Sequence, residues 1–277
     1  MNKSKKTKII IWAVILCLFT GMACAGFVGY KFYKHEKSQQ ATISELNSRV
    51  SKLSAEMKIL KNTVEGKSIQ WGESGTNYLA IGNSITLHGL ATYWWDDDRG
   101  MAASADEKDY VHLVGKYLEQ SSDSVTIHSI NLSSWEVNGS DRAEFLELLN
   151  PYLSPSINVI TIQLGENASN LDTWESDYEE LINYVKQGAP NAKIYVIGDF
   201  WSNGNRDAEK EQAAIVCGVT YVSLDGIKDN KEYYSSIGTE VEDSDGKLHA
   251  IDHQGVASHP GDKGMEAIAN RVIEKMK

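Results

Sequence analysis

Five short apolar runs, each separated from the next by a helix-length stretch, constrain this chain more than any other feature. They occupy residues 78–82, 125–131, 157–164, 193–199 and 219–224. Between and after them, residues 106–120, 142–149, 173–187, 207–217 and 261–277 place apolar side chains at helical spacing; Tyr110, Leu113, Val114, Tyr117 and Leu118 are one such set. Strands that alternate with helices specify βαβ units and a parallel sheet covered on both faces. In such sheets the working site lies beyond the carboxyl ends of the strands. Gly82, Asn131, Gly165 and Asp199 fall at those ends, so the loops that follow them are expected to converge.

The first of these loops reads Gly82-Asn83-Ser84. Glycine and asparagine tolerate positive φ, so the chain can turn sharply before Ser84. Residues 85–90 are expected to open a helix, which would set the Ser84 hydroxyl near a helix N-terminus, where backbone N–H groups and the dipole favour developing negative charge. A plain N-cap serine would give the same pattern. Two further loops add weight to the nucleophile reading. Gly165-Glu166-Asn167 follows the third apolar run, and Ser258-His259-Pro260-Gly261 precedes the closing helix.

Together these three blocks resemble the SGNH (GDSL-type) hydrolase superfamily over residues 76–277. The resemblance implies a flavodoxin-like three-layer α/β/α fold around a five-stranded parallel sheet. It further implies Ser84 as nucleophile, His259 as general base, and the Ser84 N–H and Asn167 side chain as oxyanion donors. Asn83 stands where the family's first block has aspartate, and Ala168 where its third has another. Val256 occupies the place, three before the histidine, where the orienting aspartate is usual. Asp252, seven residues before His259, is the candidate substitute; a backbone carbonyl could do the same work, since the imidazole needs only its tautomer and orientation fixed. The second block supplies a glycine N–H in the family. Here Leu132-Ser133-Ser134-Trp135-Glu136 has no glycine, and Ser133 and Glu136 are the candidate donors. Asn83, Trp95, Trp135 and Glu166 are candidate substrate contacts, the tryptophans through stacking on sugar rings or as a roof over the core.

Charge and the amino-terminal segment bound the setting. Residues 1–37 hold seven lysines against Glu36; the remainder holds 20 basic against 37 acidic residues, a net of −17. So acidic a domain is unsuited to phosphate contacts, and nucleic acid is excluded as a partner. Residues 9–30 are 22 positions without charge, long enough to cross a bilayer core of about 30 Å. Lys3, Lys5, Lys6 and Lys8 precede them, so residues 1–8 are expected in the cytoplasm and everything after the span outside. Ala23-Cys24-Ala25 resembles a signal-peptidase site, but the apolar run continues past it, which favours an uncleaved anchor. Ile43, Leu46, Val50, Leu53, Met57, Leu60 and Val64 form a heptad seam within residues 36–66, expected as a short coiled-coil stalk that pairs two chains. Cys17 and Cys24 lie in the apolar run, which leaves Cys217 alone in residues 67–277 and no disulfide available there.

Function at this level is an extracytoplasmic serine esterase. It would hydrolyse short acyl esters, O-acetyl groups on a carbohydrate above all, through a Ser-His acyl-enzyme. An O-acetyltransferase of the same fold, or a membrane-tethered glycan-binding module with a decayed site, is the alternative. No cofactor is required. His249 and His253 lack the spacing of a zinc site, and Asp96-Asp97-Asp98 lacks that of a calcium loop, so no metal is expected.

Overall fold

The computed structural model describes residues 69–139, 141–168, 170–202 and 204–277, with Lys34, Lys37 and Gln39. The expected membrane span at 9–30 and nearly all of the stalk at 36–66 fall outside those residues. Among the described residues, no helix is long and apolar enough to cross a membrane.

Five strands form one parallel sheet: β1 (Thr76–Gly82), β2 (Val125–Asn131), β3 (Val159–Gln163), β4 (Lys193–Ile197) and β5 (Thr220–Val222). Their order is β2-β1-β3-β4-β5, so β1 lies inside the sheet, flanked by β2 and β3. Both faces of β1 are apolar and their side chains alternate. Leu79 and Ile81 join one core with Ile160, Ile162, Ile194 and Val196; Tyr78 and Ala80 join the other with Val159, Tyr195 and Ile197. This is why the inner strands read as largely apolar runs, while β2, at the edge of the sheet and half-buried, carries Thr126, His128 and Ser129. Each fully buried isoleucine or leucine contributes about 2 kcal/mol.

Helices α1 (Tyr110–Leu118), α2 (Ser133–Val137), α3 (Trp174–Gly188) and α4 (Arg206–Cys217) follow β1 to β4 in turn. After β5 come a hairpin, β6 (Glu240–Glu242) and β7 (Leu248–Ala250), a short helix α5 (Gln254–Ala257) and the closing helix α6 (Asp262–Met276). Residues of α1 and α6 pack on the Tyr78 face, and those of α3 and α4 on the Leu79 face, giving three layers. Asp109 caps α1: its Oδ1 accepts from His112 N at 2.8 Å, and the same oxygen meets His112 Nδ1. Asp109 and His112 thus form the cap of this helix. Register aligns Gly82 with Asn131 and with Gln163, so the loops that follow leave from one edge of the sheet.

One expected element does not form. Residues 85–90 are not a helix; a single turn at 84–86 leads into irregular chain. Thr86 and Leu87 donate to the Asn83 carbonyl, but the next groups are claimed from elsewhere. Met101 N donates to Ser84 O, His88 N donates to Arg99 O, and Asn131 Nδ2 donates to Leu87 O. With its hydrogen-bonding groups paired to a second loop, the segment cannot propagate a helical ladder.

Candidate active site

Ser84 sits two residues beyond the end of buried β1. Gly82 permits this approach, since a Cβ there would lie 1.9 Å from Thr86 Oγ1. Ile85 and Leu87, both buried, pin the turn from below. Across from it, His259 follows α5 and precedes α6. Ser235 N donates to His259 O at 2.8 Å, and Gly261 N donates to Tyr233 O at 3.0 Å, which fastens this loop to the neighbouring chain.

The two side chains meet: Ser84 Oγ is 2.8 Å from His259 Nε2. His259 Nδ1 is 2.7 Å from the Gly255 carbonyl oxygen. A carbonyl only accepts, so Nδ1 carries the proton, and the Nε2 lone pair faces the serine hydroxyl. This is the tautomer a general base requires. Burial pushes the imidazolium down to about 4; the Gly255 carbonyl opposes the shift and His88 adds to it. The ring is therefore neutral at pH 7 and free to take a proton. Trp201 packs against it at right angles, with ring centroids 5.0 Å apart.

Asp252 takes no part in this. It is exposed, and of the two groups the sequence left open for the imidazole nitrogen it is the backbone carbonyl, that of Gly255, that holds it. The reason is local: α5 starts two residues after Asp252 and carries the chain round, so that the backbone four residues before His259 comes back to the ring.

Behind Ser84 lies a group of buried polar side chains. Asn83 is fully buried; its Nδ2 donates to Glu136 Oε1 at 2.9 Å and to Glu166 Oε2 at 2.7 Å, and its Oδ1 accepts from Ile85 N at 3.0 Å. Glu136 Oε2 accepts from Asn167 Nδ2 at 2.6 Å, and its Oε1 also accepts from Gly165 N. Glu166 Oε1 accepts from Gln163 Nε2 at 2.5 Å and from Phe200 N at 2.9 Å. Burial raises both carboxyls, that of Glu166 to about 7 with Asp199 adding to the rise. Gly165 has φ +150°, and a Cβ there would lie 2.1 Å from Asp199 Oδ1, so only glycine fits between this loop and β4's end.

Asp199 is in turn neutralised. Lys210 Nζ lies 2.7 Å from its Oδ1, and Arg206 Nε approaches Oδ2 at 2.6 Å as an ion pair rather than a well-directed hydrogen bond. Lys210 is wholly buried. Burial alone would lower its ammonium, but Asp199, Asp207 and Glu166 outweigh that and hold it above the ordinary lysine value.

Several expected substrate contacts are thus framework. Asn83 is sealed from solvent, and Glu166 spends its oxygens on Asn83, Gln163 and Phe200. Trp135 is 1% exposed and packs in the core against Trp174 and Tyr178, so it roofs the interior and stacks on no ligand. Trp95 is half-buried and stacks on His249 with centroids 4.5 Å apart. Glu136 enters through its carboxylate, not through the backbone N–H expected of it. Asn167 alone of the third-block side chains stays exposed, with one amide proton on Glu136 and another to give. Of the second-block donors, Ser133 N is taken by Asn131 Oδ1 at 3.0 Å. Sequence reasoning missed Gly255, Trp201, Arg206 and Lys210. A signal existed for the last two: they share a helix face with Ala213, Ala214 and Cys217, where charge is out of place unless paired.

No protein-family model matches the chain, and a search of curated proteins found no match. Solved structures of similar fold include phospholipase A1 from Streptomyces albidoflavus NA297, with TM-score 0.47 and 15% identity over 73% of this chain and 100% of that one. A family two carbohydrate esterase from Clostridium thermocellum, an active-site mutant, has TM-score 0.48 and 14% identity over 75% of this chain and 64% of its own. A GDSL-like lipase from Bacteroides ovatus has TM-score 0.44 and 13% identity over 73% and 98%. These likenesses are of overall fold; the resemblance to the SGNH (GDSL-type) hydrolase superfamily is carried by the chain's three sequence blocks.

Proposed function

We propose that the protein is a serine esterase that removes short acyl groups, O-acetyl above all, from a carbohydrate outside the cytoplasm. The observation that carries the reading is the Ser84 Oγ–His259 Nε2 contact at 2.8 Å, with the opposite ring nitrogen on the Gly255 carbonyl. Ser84 attacks the ester carbonyl as His259 Nε2 accepts its proton. The tetrahedral oxyanion is met by the Ser84 N–H and the free amide proton of Asn167. His259 then protonates the departing alkoxide, and an acyl-serine is left for water to cleave by the same steps. General-base assistance is worth about 10²–10⁴ in rate, and each oxyanion donor about 3 kcal/mol.

A decayed binding module would have no reason to keep this tautomer. The two departures from the family pattern, Asn83 and Val256, are each matched by a local arrangement: Asn83 by the two glutamates and Val256 by the Gly255 carbonyl. The rim favours a sugar over a long acyl chain. Trp201 flanks His259, His88 bears on it electrostatically, Tyr93 lies 6.0 Å from His88, and His253 stacks on Tyr93 at 4.8 Å. These rings present aromatic faces and polar edges together. Location rests on the basic tail and apolar run of residues 1–30.

Acetate release from a panel of acetylated glycans, by full-length protein beside its Ser84→Ala variant, tests the reading. Ser84→Ala is expected to lose at least ~10⁴-fold in kcat with an unchanged melting temperature. Retained activity in that variant would sink the assignment.

A further inference from the structure

One side chain ties the site's loops together. Glu136, fourth in α2 and wholly buried, receives Asn83 Nδ2 at 2.9 Å and Gly165 N on Oε1, and Asn167 Nδ2 at 2.6 Å on Oε2. All three partners are donors. A carboxylic acid would turn its own O–H towards one of them, so the arrangement is that of a carboxylate. Asn83 is clasped from its other side by Glu166 Oε2 at 2.7 Å. Both amide protons of Asn83 thus go to carboxylates. An aspartate at this position would set a third carboxylate against two others in a buried space, which accounts for asparagine here.

Asn167 lies on an exposed loop, and among the described residues Glu136 is the hydrogen-bond partner of its amide. We propose that Glu136 is a positioning residue for the oxyanion site: by holding one amide proton of Asn167, it aims the other at the oxygen that becomes negative in the transition state. The proposal rests on the serine-esterase reading. No bond forms and no proton moves at Glu136. Its effect falls on the transition state, because an amide free to rotate offers its proton only part of the time.

Four forms of the full-length protein test this: wild type, Glu136→Gln, Asn167→Ala and the double variant, assayed on p-nitrophenyl acetate. Glutamine keeps the shape but replaces one oxygen with an NH₂. Two donors converge on the Oε1 side, so the remaining carbonyl is expected there and the NH₂ confronts Asn167. Glu136→Gln should lower kcat about 10²-fold, with KM within about threefold of wild type. In the Asn167→Ala background the same change should cost less than about threefold, since the residue it acts through is gone. Equal fold-losses in both backgrounds would overturn the proposal. Should Glu136→Gln fail to fold, Glu136→Asp carries the same cycle, with a smaller loss that again vanishes beside Asn167→Ala. An active Ser84→Ala would remove the esterase reading itself; additive losses beside an inactive Ser84→Ala remove only the role of Glu136.

Discussion

The two sides of Ser84 differ in kind. Towards His259 the site is uncharged: a hydroxyl, a neutral imidazole, a backbone carbonyl and a tryptophan ring. Towards β3 and β4 it is dense with charge, where Glu136, Glu166, Asp199 and Asp207 meet Arg206, Lys210 and Lys228. A serine triad ordinarily places a carboxylate against the imidazole. Here the carboxylates stand on the far side of Ser84, where they hold loops together. Orienting the base and holding the framework are thus separable tasks, and different chemistry performs each.

The charged side should fail first as structure. Lys210→Met removes a buried cation and leaves Asp199 with Arg206 alone. Breaking a buried pair from one side costs about 3 kcal/mol, to be read from denaturant unfolding. A loss below about 1 kcal/mol would mean that the network contributes little and that the contrast between the two sides is only one of appearance.

The neutral side should show itself in pH dependence. Burial holds His259 at about 4, so the base stays unprotonated as pH falls, and the acidic limb of kcat/KM should lie well below 6.5. A limb near 7 would instead put Glu166, raised to about 7, in control. The two outcomes assign the limb to one side or the other.

The smallest effect belongs to Asp252. Exposed and replaced in its expected role by Gly255, it should tolerate Asp252→Asn with kcat within about twofold. A loss of several orders of magnitude at constant melting temperature, the mark of a disabled triad acid, would put charge back beside the base and dissolve the comparison.

Much of this was legible in the sequence. The strands were readable chiefly because β1 and β3, at the centre of the sheet, are buried on both faces, and the meeting of Ser84 with His259 because each lies where a strand ends or a helix begins at an identifiable break. The helix expected at 85–90 was not, because its groups are claimed by Arg99 and Met101, and pairing between distant loops leaves no periodic trace. Gly255 was unreadable for a related reason: a carbonyl is present at every position, and only the turn of α5 selects this one. Trp135 stayed open between stacking on a sugar and roofing the core because an aromatic beside a site has the same composition whether it faces out or in; it faces in.

The Ser84–His259 hydrogen bond joins residues 175 positions apart. During synthesis Ser84 leaves the ribosome first, and at 5–20 residues per second His259 follows roughly 10–35 s later. Until then Ser84 lacks its hydrogen-bond partner and is an ordinary serine. Under the proposed esterase reading, reactivity would appear only once the loop that carries His259 has closed onto Ser84, and a chain cut short before His259 would be chemically silent.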